Sequence, residues 1–338
     1  MEGFVFYNVK EAPFKIYGLY EPLAEGKFQR MPQNVAAHGN GWMPTLAYNT
    51  AGGRVRFKTD SGRMVLRVQT KHKDQMFHAT PLMEAGFDVY IDNGGKSRLA
   101  GVTKPEFRLR EEGYDQPFTL PSGRVNEITV NMPLYGDVYD LQIGLEQGAH
   151  IWEHTPYKHE KPVVFYGSSI TQGGCASRPG KSYQAIISRK YDLNYLNYGF
   201  SGSARAEDGI VDFLASLEMS AFVSDYDHNA PDLEHLKNTH HRMYEKIREK
   251  HPTIPYFMVT KPDFAYREED FARRAIIMRS YLEALDTGDK NVYFIDGSAF
   301  FNGVDLGDYT VDGCHPTDDG FVRMANYIGD VMAKVMDL

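Results

Sequence analysis

The sequence of 338 residues predicts two parts of different fold class: an antiparallel β-sandwich over residues 1–155, then a three-layer α/β unit with a parallel sheet over residues 156–338. Two observations predict this division. Up to residue 155, apolar and polar residues alternate in short stretches that Gly-rich turns separate. After residue 160, short apolar runs alternate with helical patterns. The segment 152–161, rich in His and charged residues, is the predicted junction.

Alternating stretches predict the sandwich. Val55 and Phe57 alternate with charged residues, and Met64, Leu66 and Val68 repeat the pattern. A period of two places one face of a strand in the core and the other in solvent, so we expect the charged residues of these stretches to be exposed. Short strands with Gly-rich turns are typical of antiparallel sandwiches. Such turns recur at 51–53, 60–62, 92–95 and 121–123.

The second part contains five apolar runs without a polar face, as expected of parallel strands that helices cover on both sides. These runs are 162–166, 193–198, 220–223, 254–260 and 291–295. Helical patterns lie between or after them, and the longest are 233–250, 268–285 and 318–335. Ligands of such sheets bind beyond the carboxyl ends of the strands, so we expect the chemistry of the protein there.

Composition excludes several classes of protein. The net charge of −8 and the absence of a basic patch argue against a nucleic-acid partner. No apolar run approaches the ~20 residues that span a bilayer, so no membrane partner is expected. Because no secretory signal is visible and the two cysteines form no disulfide framework, we expect a cytoplasmic protein, or a secreted one if a leader was trimmed. The oligomeric state is left open.

Polar residues follow several of the predicted strands. Ser169 lies on a tight turn between a strand and a helix, where a hydroxyl is exposed beside free backbone N–H groups. Gly202 follows the second strand and Asn229 the third, and Asp312 and His315 lie on a loop before the last helix. A nucleophile, oxyanion donors, and a base with an orienting carboxylate are the groups needed for acyl transfer through a covalent intermediate.

The stretch Phe165-Tyr166-Gly167-Ser168-Ser169-Ile170-Thr171 resembles the first block of the GDSL, or SGNH, hydrolases, with Ser168 where that family usually has Asp. The resemblance implies a flavodoxin-like hydrolase domain with a triad of Ser169, His315 and Asp312. It also implies that the oxyanion is bound by the backbone N–H groups of Ser169 and Gly202 and by the amide of Asn229. The block around Asn229 lacks the family's usual Gly-x-Asn-Asp form.

The N-terminal part is similar to a known arrangement as well. Residues 54–61 and 135–141 resemble the jelly-roll-like sandwich that precedes the hydrolase domain in one SGNH subgroup, and the domain order is similar to carbohydrate esterases that remove acetyl groups. The resemblance implies a serine esterase that hydrolyses a small acyl ester, acetyl in particular, on a carbohydrate, without metal or cofactor. Two alternatives stay open. One is a non-catalytic glycan-binding protein, which Ser168 favours, and the other is a lipase or thioesterase with the same machinery.

The sequence also contains several weaker signals. Arg178 and Tyr226 lie close in sequence to the predicted site residues and are predicted to bind substrate. Ser169 taken by itself would also serve as an N-cap of the helix that follows. The stretch 174–182 resembles a phosphate-binding loop but has five residues between its glycines, where the Walker pattern has four. His235 and His240 do not share a helix face, so no metal site is predicted.

Overall fold

The computed structural model describes residues 2–71, 76–105, 113–262 and 267–338. In the N-terminal part, the strands form two antiparallel sheets. Within its described residues, three short helices lie in the connections between strands. These elements are β1 (Phe4–Asn8), β2 (Lys15–Tyr17), α1 (Gln33–Ala36), α2 (Met43–Leu46), β3 (Arg54–Thr59), β4 (Arg63–Lys71), α3 (Pro81–Ala85), β5 (Asp88–Asn93), β6 (Lys96–Val102), β7 (Tyr114–Thr119), β8 (Asn126–Asn131), β9 (Asp137–Glu146) and β10 (Ile151–Trp152).

The two sheets pack face to face as a sandwich. One sheet has the order β1-β9-β4-β7 and the other the order β10-β3-β8-β5-β6, with β2 also paired to β3. Val55 and Phe57 of β3 and Met64, Leu66 and Val68 of β4 point into the shared core. The predicted alternation therefore identified the core faces of these strands correctly, and the sandwich is confirmed.

The opposite face of β3 differs from the expectation. Arg54 and Arg56 are only 2% and 4% exposed, although the period-two pattern predicted that they would be exposed. Their guanidinium groups stack on aromatic rings: Arg54 lies 4.0 Å from the Tyr195 centroid and Arg56 3.8 Å from the Tyr157 centroid. This face is buried because the junction and the second part of the chain cover it, which no local pattern records.

The C-terminal part is a parallel sheet of order β12-β11-β13-β14-β15 between helices. Its strands and helices confirm the five predicted runs and the three long helical patterns. Apolar clusters cover both faces of the sheet, as expected of a three-layer fold. The elements are β11 (His159–Gly167), α4 (Ser169–Gln172), α5 (Tyr183–Tyr191), β12 (Leu193–Gly199), α6 (Asp208–Ser216), β13 (Ala221–Asp225), α7 (Leu233–Lys250), β14 (Tyr256–Val259), α8 (Glu268–Asp286), β15 (Val292–Ile295) and α9 (Asp318–Met336).

The two parts share an extensive polar contact around Arg30, which is 1% exposed. Its guanidinium donates to the carbonyls of Leu46 and Asn49 in the first part and to those of Asn197 and Gly199 in the second. Burial lowers the pKa of Arg30 to about 9. The loops of the sandwich are thereby fixed against the carboxyl end of β12. The boundary between residues 155 and 156 stays a prediction.

Among the described residues, no helix combines the length and apolar character needed to cross a bilayer.

Candidate active site

The turn between β11 and α4 positions Ser169. Gly167 ends the strand where an added Cβ would collide with the Asp225 carbonyl and with Thr171 Oγ1, so only glycine allows this close approach. Ser168 is the N-cap of α4, and its hydroxyl accepts a hydrogen bond from the Ile170 N–H at 3.2 Å. The capping role therefore belongs to Ser168, which leaves the Ser169 hydroxyl free for another partner. Ser and Asp are both preferred N-caps, which accounts for Ser168 at the usual position of Asp.

A tight loop before α9 carries His315 and Asp312. Thr310 pairs with Pro316 as an isolated bridge, and the Val311 N–H donates to the His315 carbonyl at 2.8 Å, which closes the loop. Asp312 Oδ1 accepts from the backbone N–H groups of Cys314 at 3.0 Å and His315 at 2.8 Å. The carboxylate is thus held by backbone on one oxygen, and the other oxygen is left for the imidazole.

Ser169, His315 and Asp312 form a continuous hydrogen-bonded chain across 146 residues of sequence. Ser169 Oγ lies 2.9 Å from His315 Nε2, and His315 Nδ1 lies 2.8 Å from Asp312 Oδ2. Partial burial opposes ionisation of Asp312, but the hydrogen bonds from His315 and Cys314 outweigh it and lower the pKa of Asp312 to about 2. An ionised carboxylate on Nδ1 keeps the lone pair of Nε2 directed at the serine hydroxyl, as a general base requires.

Two further loops bring the predicted oxyanion donors to the same edge of the sheet. The Phe200 N–H donates to the Gly167 carbonyl at 2.8 Å, and the Ser168 N–H donates to the Asp225 carbonyl at 3.1 Å, so both loops are tied to the turn that carries Ser169. Gly202 has φ +65° with open space around its Cα, and its N–H has no hydrogen-bond partner within the described part of the chain. Asn229 Nδ2 donates to the Phe200 carbonyl at 2.9 Å, which fixes its side chain and leaves a second N–H available.

A buried polar network supports the Asn229 loop, and the sequence analysis did not find it. Asp227 accepts the Lys261 N–H at 3.0 Å, and Arg273 donates to the Asp227 and Ala230 carbonyls. Lys261 is itself paired with Asp270, and both are nearly inaccessible to solvent. Lys261 follows the end of β14. Because ligands of such sheets bind beyond the carboxyl ends of the strands, its position in the sequence could have identified it.

Three possible metal ligands lie together beside the triad. One ligand atom each of His78, Cys175 and His315 lies within 4.8 Å of the others, and the rings of His78 and His315 are 5.1 Å apart. Two imidazoles and a thiol are a donor set that suits Zn²⁺. Burial raises the pKa of Cys175 to about 12, which keeps the thiol protonated in the absence of a metal. This cluster could not be predicted from the sequence, because its members are far apart in the chain and no local spacing connects them.

The structure places both predicted substrate-binding residues in contact with other protein groups. Tyr226 is 1% exposed, its hydroxyl pairs with Thr239 Oγ1 at 2.8 Å, and its ring packs against Tyr166. Its position beside Asn229 in the sequence therefore reflects core packing. Arg178 donates through Nη1 to Asp88 Oδ2 at 2.8 Å and to the Tyr90 hydroxyl, so this nitrogen joins the two parts of the protein.

Comparison with known protein families agrees with this architecture. Residues 160–333, more than half of the chain, match the GDSL-like lipase/acylhydrolase family. Residues 4–151 match a second family model, described as the N-terminus of esterases of the SGNH hydrolase type. A search of curated proteins gives no match.

Solved structures resemble the chain over its full length. A candidate GDSL-like lipase from Bacteroides ovatus has 26% identity and a TM-score of 0.88, with 99% of this chain and 98% of that chain covered. A salicylyl-acyltransferase from a tetracycline biosynthetic pathway has 18% identity and a TM-score of 0.80, with 100% and 99% covered. A family two carbohydrate esterase from Cellvibrio japonicus has 12% identity and a TM-score of 0.67, with 99% and 98% covered.

The last two likenesses concern the fold alone. The first part of the chain has the architecture of an SGNH-type N-terminal domain, and the second part carries the Ser169 turn and the His315 loop on one edge of a parallel sheet. With the family match over residues 160–333, these findings show that the chain belongs to the GDSL-like lipase/acylhydrolase family of carboxylic ester hydrolases.

Proposed function

We propose that this protein is a serine esterase that removes a small acyl group, acetyl in particular, from a carbohydrate ester through an acyl-enzyme on Ser169. The observation that carries the proposal is the hydrogen-bonded chain from Ser169 Oγ through His315 to Asp312, with distances of 2.9 and 2.8 Å. Both distances are hydrogen-bond lengths: the first lets His315 accept the proton of Ser169, and the second orients the imidazole for that transfer. No other group is needed to activate the hydroxyl.

The proposed reaction has two steps. In the first, His315 Nε2 takes the proton of Ser169 Oγ as the oxygen attacks the acyl carbon, and the resulting imidazolium returns the proton to the departing alcohol. In the second, a water molecule attacks the acyl-enzyme with His315 again as base, which releases the carboxylic acid and restores the serine. Asp312 stabilises the imidazolium in both steps. The N–H groups of Ser169, Gly202 and Asn229 bind the oxyanion, each contributing about 2.7–4 kcal/mol to transition-state stabilisation.

Crowding behind the nucleophile supports a small acyl group. Gly174 packs so closely that an added Cβ would lie 3.0 Å from the Tyr135 hydroxyl, 3.1 Å from the Ser169 carbonyl and 3.2 Å from His315 Cδ2. Tyr135 also donates to the Ser169 carbonyl at 3.4 Å. This side of the nucleophile is therefore filled by protein atoms. The carbohydrate leaving group is proposed from the shared two-part fold of the family two carbohydrate esterase.

A panel of esters tests the proposal. The purified chain is assayed on acetylated mono- and oligosaccharides, on p-nitrophenyl acetate and on p-nitrophenyl esters with longer acyl chains. We expect the highest kcat/KM on acetylated sugars and a steep decrease as the acyl chain lengthens. Preference for long acyl chains would instead identify a lipase or thioesterase.

Two variants separate catalysis from mere binding. Ser169→Ala is expected to abolish hydrolysis and fluorophosphonate labelling, whereas Ser122→Ala, in an exposed turn of the sandwich, is expected to keep both. Sugar binding without labelling of Ser169 in the wild-type chain would identify a non-catalytic glycan-binding protein.

A further inference from the structure

A cavity of about 560 Å³ lies between the sandwich and the hydrolase sheet, away from Ser169. One wall is the outer face of β3, with Arg54, Arg56 and Lys58. The other wall includes Arg189 of α5 and Tyr195 of β12, and Tyr157 of the junction lies between them. Because Arg54 binds Asn194 at the start of β12, the cavity lies near the amino ends of the strands. Ser169 follows the opposite end of the sheet. The ends of β12, Leu193 and Gly199, are six residues apart, so at ~3.3 Å per residue the cavity and Ser169 are separated by about 20 Å.

Arg56 is a buried cation whose hydrogen-bonding capacity is largely unused. It is 4% exposed, and its Nε and Nη1 atoms have no hydrogen-bond partner among the described residues. Its guanidinium plane is held by stacking on Tyr157, with 3.8 Å between the Arg56 Cζ and the ring centroid. A rigid guanidinium with two unpaired nitrogens is costly to bury, since each unpaired N–H loses its water without replacement.

The neighbouring arginines show the contrast. Arg54 is equally buried, but its guanidinium donates to the Tyr157 hydroxyl, the Gly52 carbonyl and Asn194 Oδ1. Arg189 resembles Arg56, because its Nη1 is buried without a partner in the described chain while its guanidinium stacks on Tyr90 at 4.3 Å. The guanidinium groups of Arg56 and Arg189, on opposite walls of one cavity, therefore have unpaired N–H donors that can bind a ligand.

The charge of the cavity lining is positive in a protein whose net charge is −8. Within the lining, Lys58 is paired with Glu127 at 3.1 Å, and Asp92 faces Arg56 but also accepts from Thr129 at 2.6 Å. The complete set of charged lining residues comprises the cationic Arg54, Arg56, Lys58, Lys96 and Arg189 and the acidic Asp92, Glu127 and Asp192. This excess of cations favours an anionic occupant over a neutral one.

We propose that this cavity is a second binding site, separate from the esterase site, for a small organic anion that carries a carboxylate or a phosphate group. Arg56 and Arg189 hold the anionic group, since a guanidinium presents two parallel N–H donors that match two oxygens of either group. The volume accommodates a monosaccharide-sized molecule. The ligand bridges the sandwich and the hydrolase sheet, so its binding stabilises the contact between them.

Titration calorimetry of the full chain with galacturonate, glucose 6-phosphate, inorganic phosphate and neutral galactose tests the proposal. We expect one of the two sugar anions to bind at a 1:1 ratio and galactose to show no binding. Binding of galacturonate would identify a carboxylate as the anionic group of the ligand. Binding of glucose 6-phosphate would identify a phosphate. Inorganic phosphate bound as tightly as either sugar anion would mean an adventitious ion only and would overturn the proposal, as would failure of all the anions to bind.

Variants locate the binding. Arg56→Gln and Arg189→Gln are each expected to weaken the affinity for the anion by at least about tenfold, because each variant loses a charged hydrogen bond. Arg189 is less buried than Arg56, so Arg189→Gln keeps the test open if Arg56→Gln does not fold. Arg98→Gln, an exposed arginine of β6, is expected to leave the affinity unchanged. Ser169→Ala is expected to retain binding, which separates this proposal from the esterase assignment. Affinity unchanged in both cavity variants would refute the site.

Discussion

Replacing Asp312 by Asn tests the proposed catalytic geometry most directly, because the structure dictates how the amide would orient. Asp312 Oδ1 accepts two backbone N–H groups, from Cys314 at 3.0 Å and His315 at 2.8 Å. Only the carbonyl oxygen of an asparagine can accept them, so its NH₂ group must face His315 Nδ1. There it donates a hydrogen bond, which forces the imidazole proton onto Nε2. His315 would then donate to Ser169 Oγ and could not act as its base.

The size of the effect follows from that change of tautomer. In a serine hydrolase triad, Asp→Asn lowers kcat by about 10⁴-fold, which corresponds to about 5.4 kcal/mol at 1.36 kcal/mol for each factor of ten. We expect kcat of Asp312→Asn to fall by this order and KM to change little, because the side chain does not touch the substrate. The hydrogen bonds to the loop backbone persist, so thermal stability should change little.

Stopped-flow and steady-state hydrolysis of p-nitrophenyl acetate measure this loss, with the melting temperature as a check on folding. Asp308→Asn, at an exposed residue in the short helical turn just before this loop, is the matched control and is expected to keep wild-type kcat. A folded Asp312→Asn variant that retains more than about a tenth of wild-type kcat would refute the reasoning, since a wrong tautomer cannot support general base catalysis.

Three further predictions concern the oxyanion, stability and metal binding. Asn229→Ala is expected to lower kcat by about 10²–10³-fold at nearly constant KM in steady-state assays, because one oxyanion donor is lost. Burial and, to a smaller extent, the charge of Asp227 raise the pKa of Asp225 to about 8. The folded chain therefore holds a proton on Asp225 that the unfolded chain releases near pH 4. Denaturant titrations should therefore show the free energy of unfolding decreasing by up to about 1.4 kcal/mol per pH unit until pH passes that folded-state pKa, and Asp225→Asn should remove this slope. Zn²⁺ is expected to inhibit hydrolysis reversibly by binding His78, Cys175 and His315, with inhibition weakened in Cys175→Ser.

Each of these has a matched control and a contrary outcome. Asn238→Ala on the exposed side of α7 should keep wild-type kcat. If its kcat fell as much as that of Asn229→Ala, the assignment of Asn229 as an oxyanion donor would be contradicted. Asp319→Asn, exposed at the start of α9, should keep the pH slope, and an unchanged slope in Asp225→Asn would assign it to another group. Inhibition by Zn²⁺ that is identical in Cys175→Ser would place the metal elsewhere.

Local patterns in the sequence determined the secondary structure and the order of chemical groups along the chain. The helix predicted over 233–250 forms with those bounds, and the five apolar runs became the five parallel strands, because apolar periodicity reflects burial within single elements. The edge of the sheet that carries Ser169, Gly202 and Asn229 was predictable as well, since parallel strands must place their carboxyl ends together.

Only the tertiary structure decided which side chains are left free. The alternating pattern of β3 predicts that its charged face is exposed to solvent. The hydrolase part covers this face instead, and Arg56 lines a cavity there. Arg178 and Tyr226 lie near the predicted catalytic positions in the sequence, but their side chains bind Asp88 and Thr239. These outcomes depend on contacts between residues about a hundred positions apart or on the packing of one element against another, and no periodicity within one segment encodes such contacts.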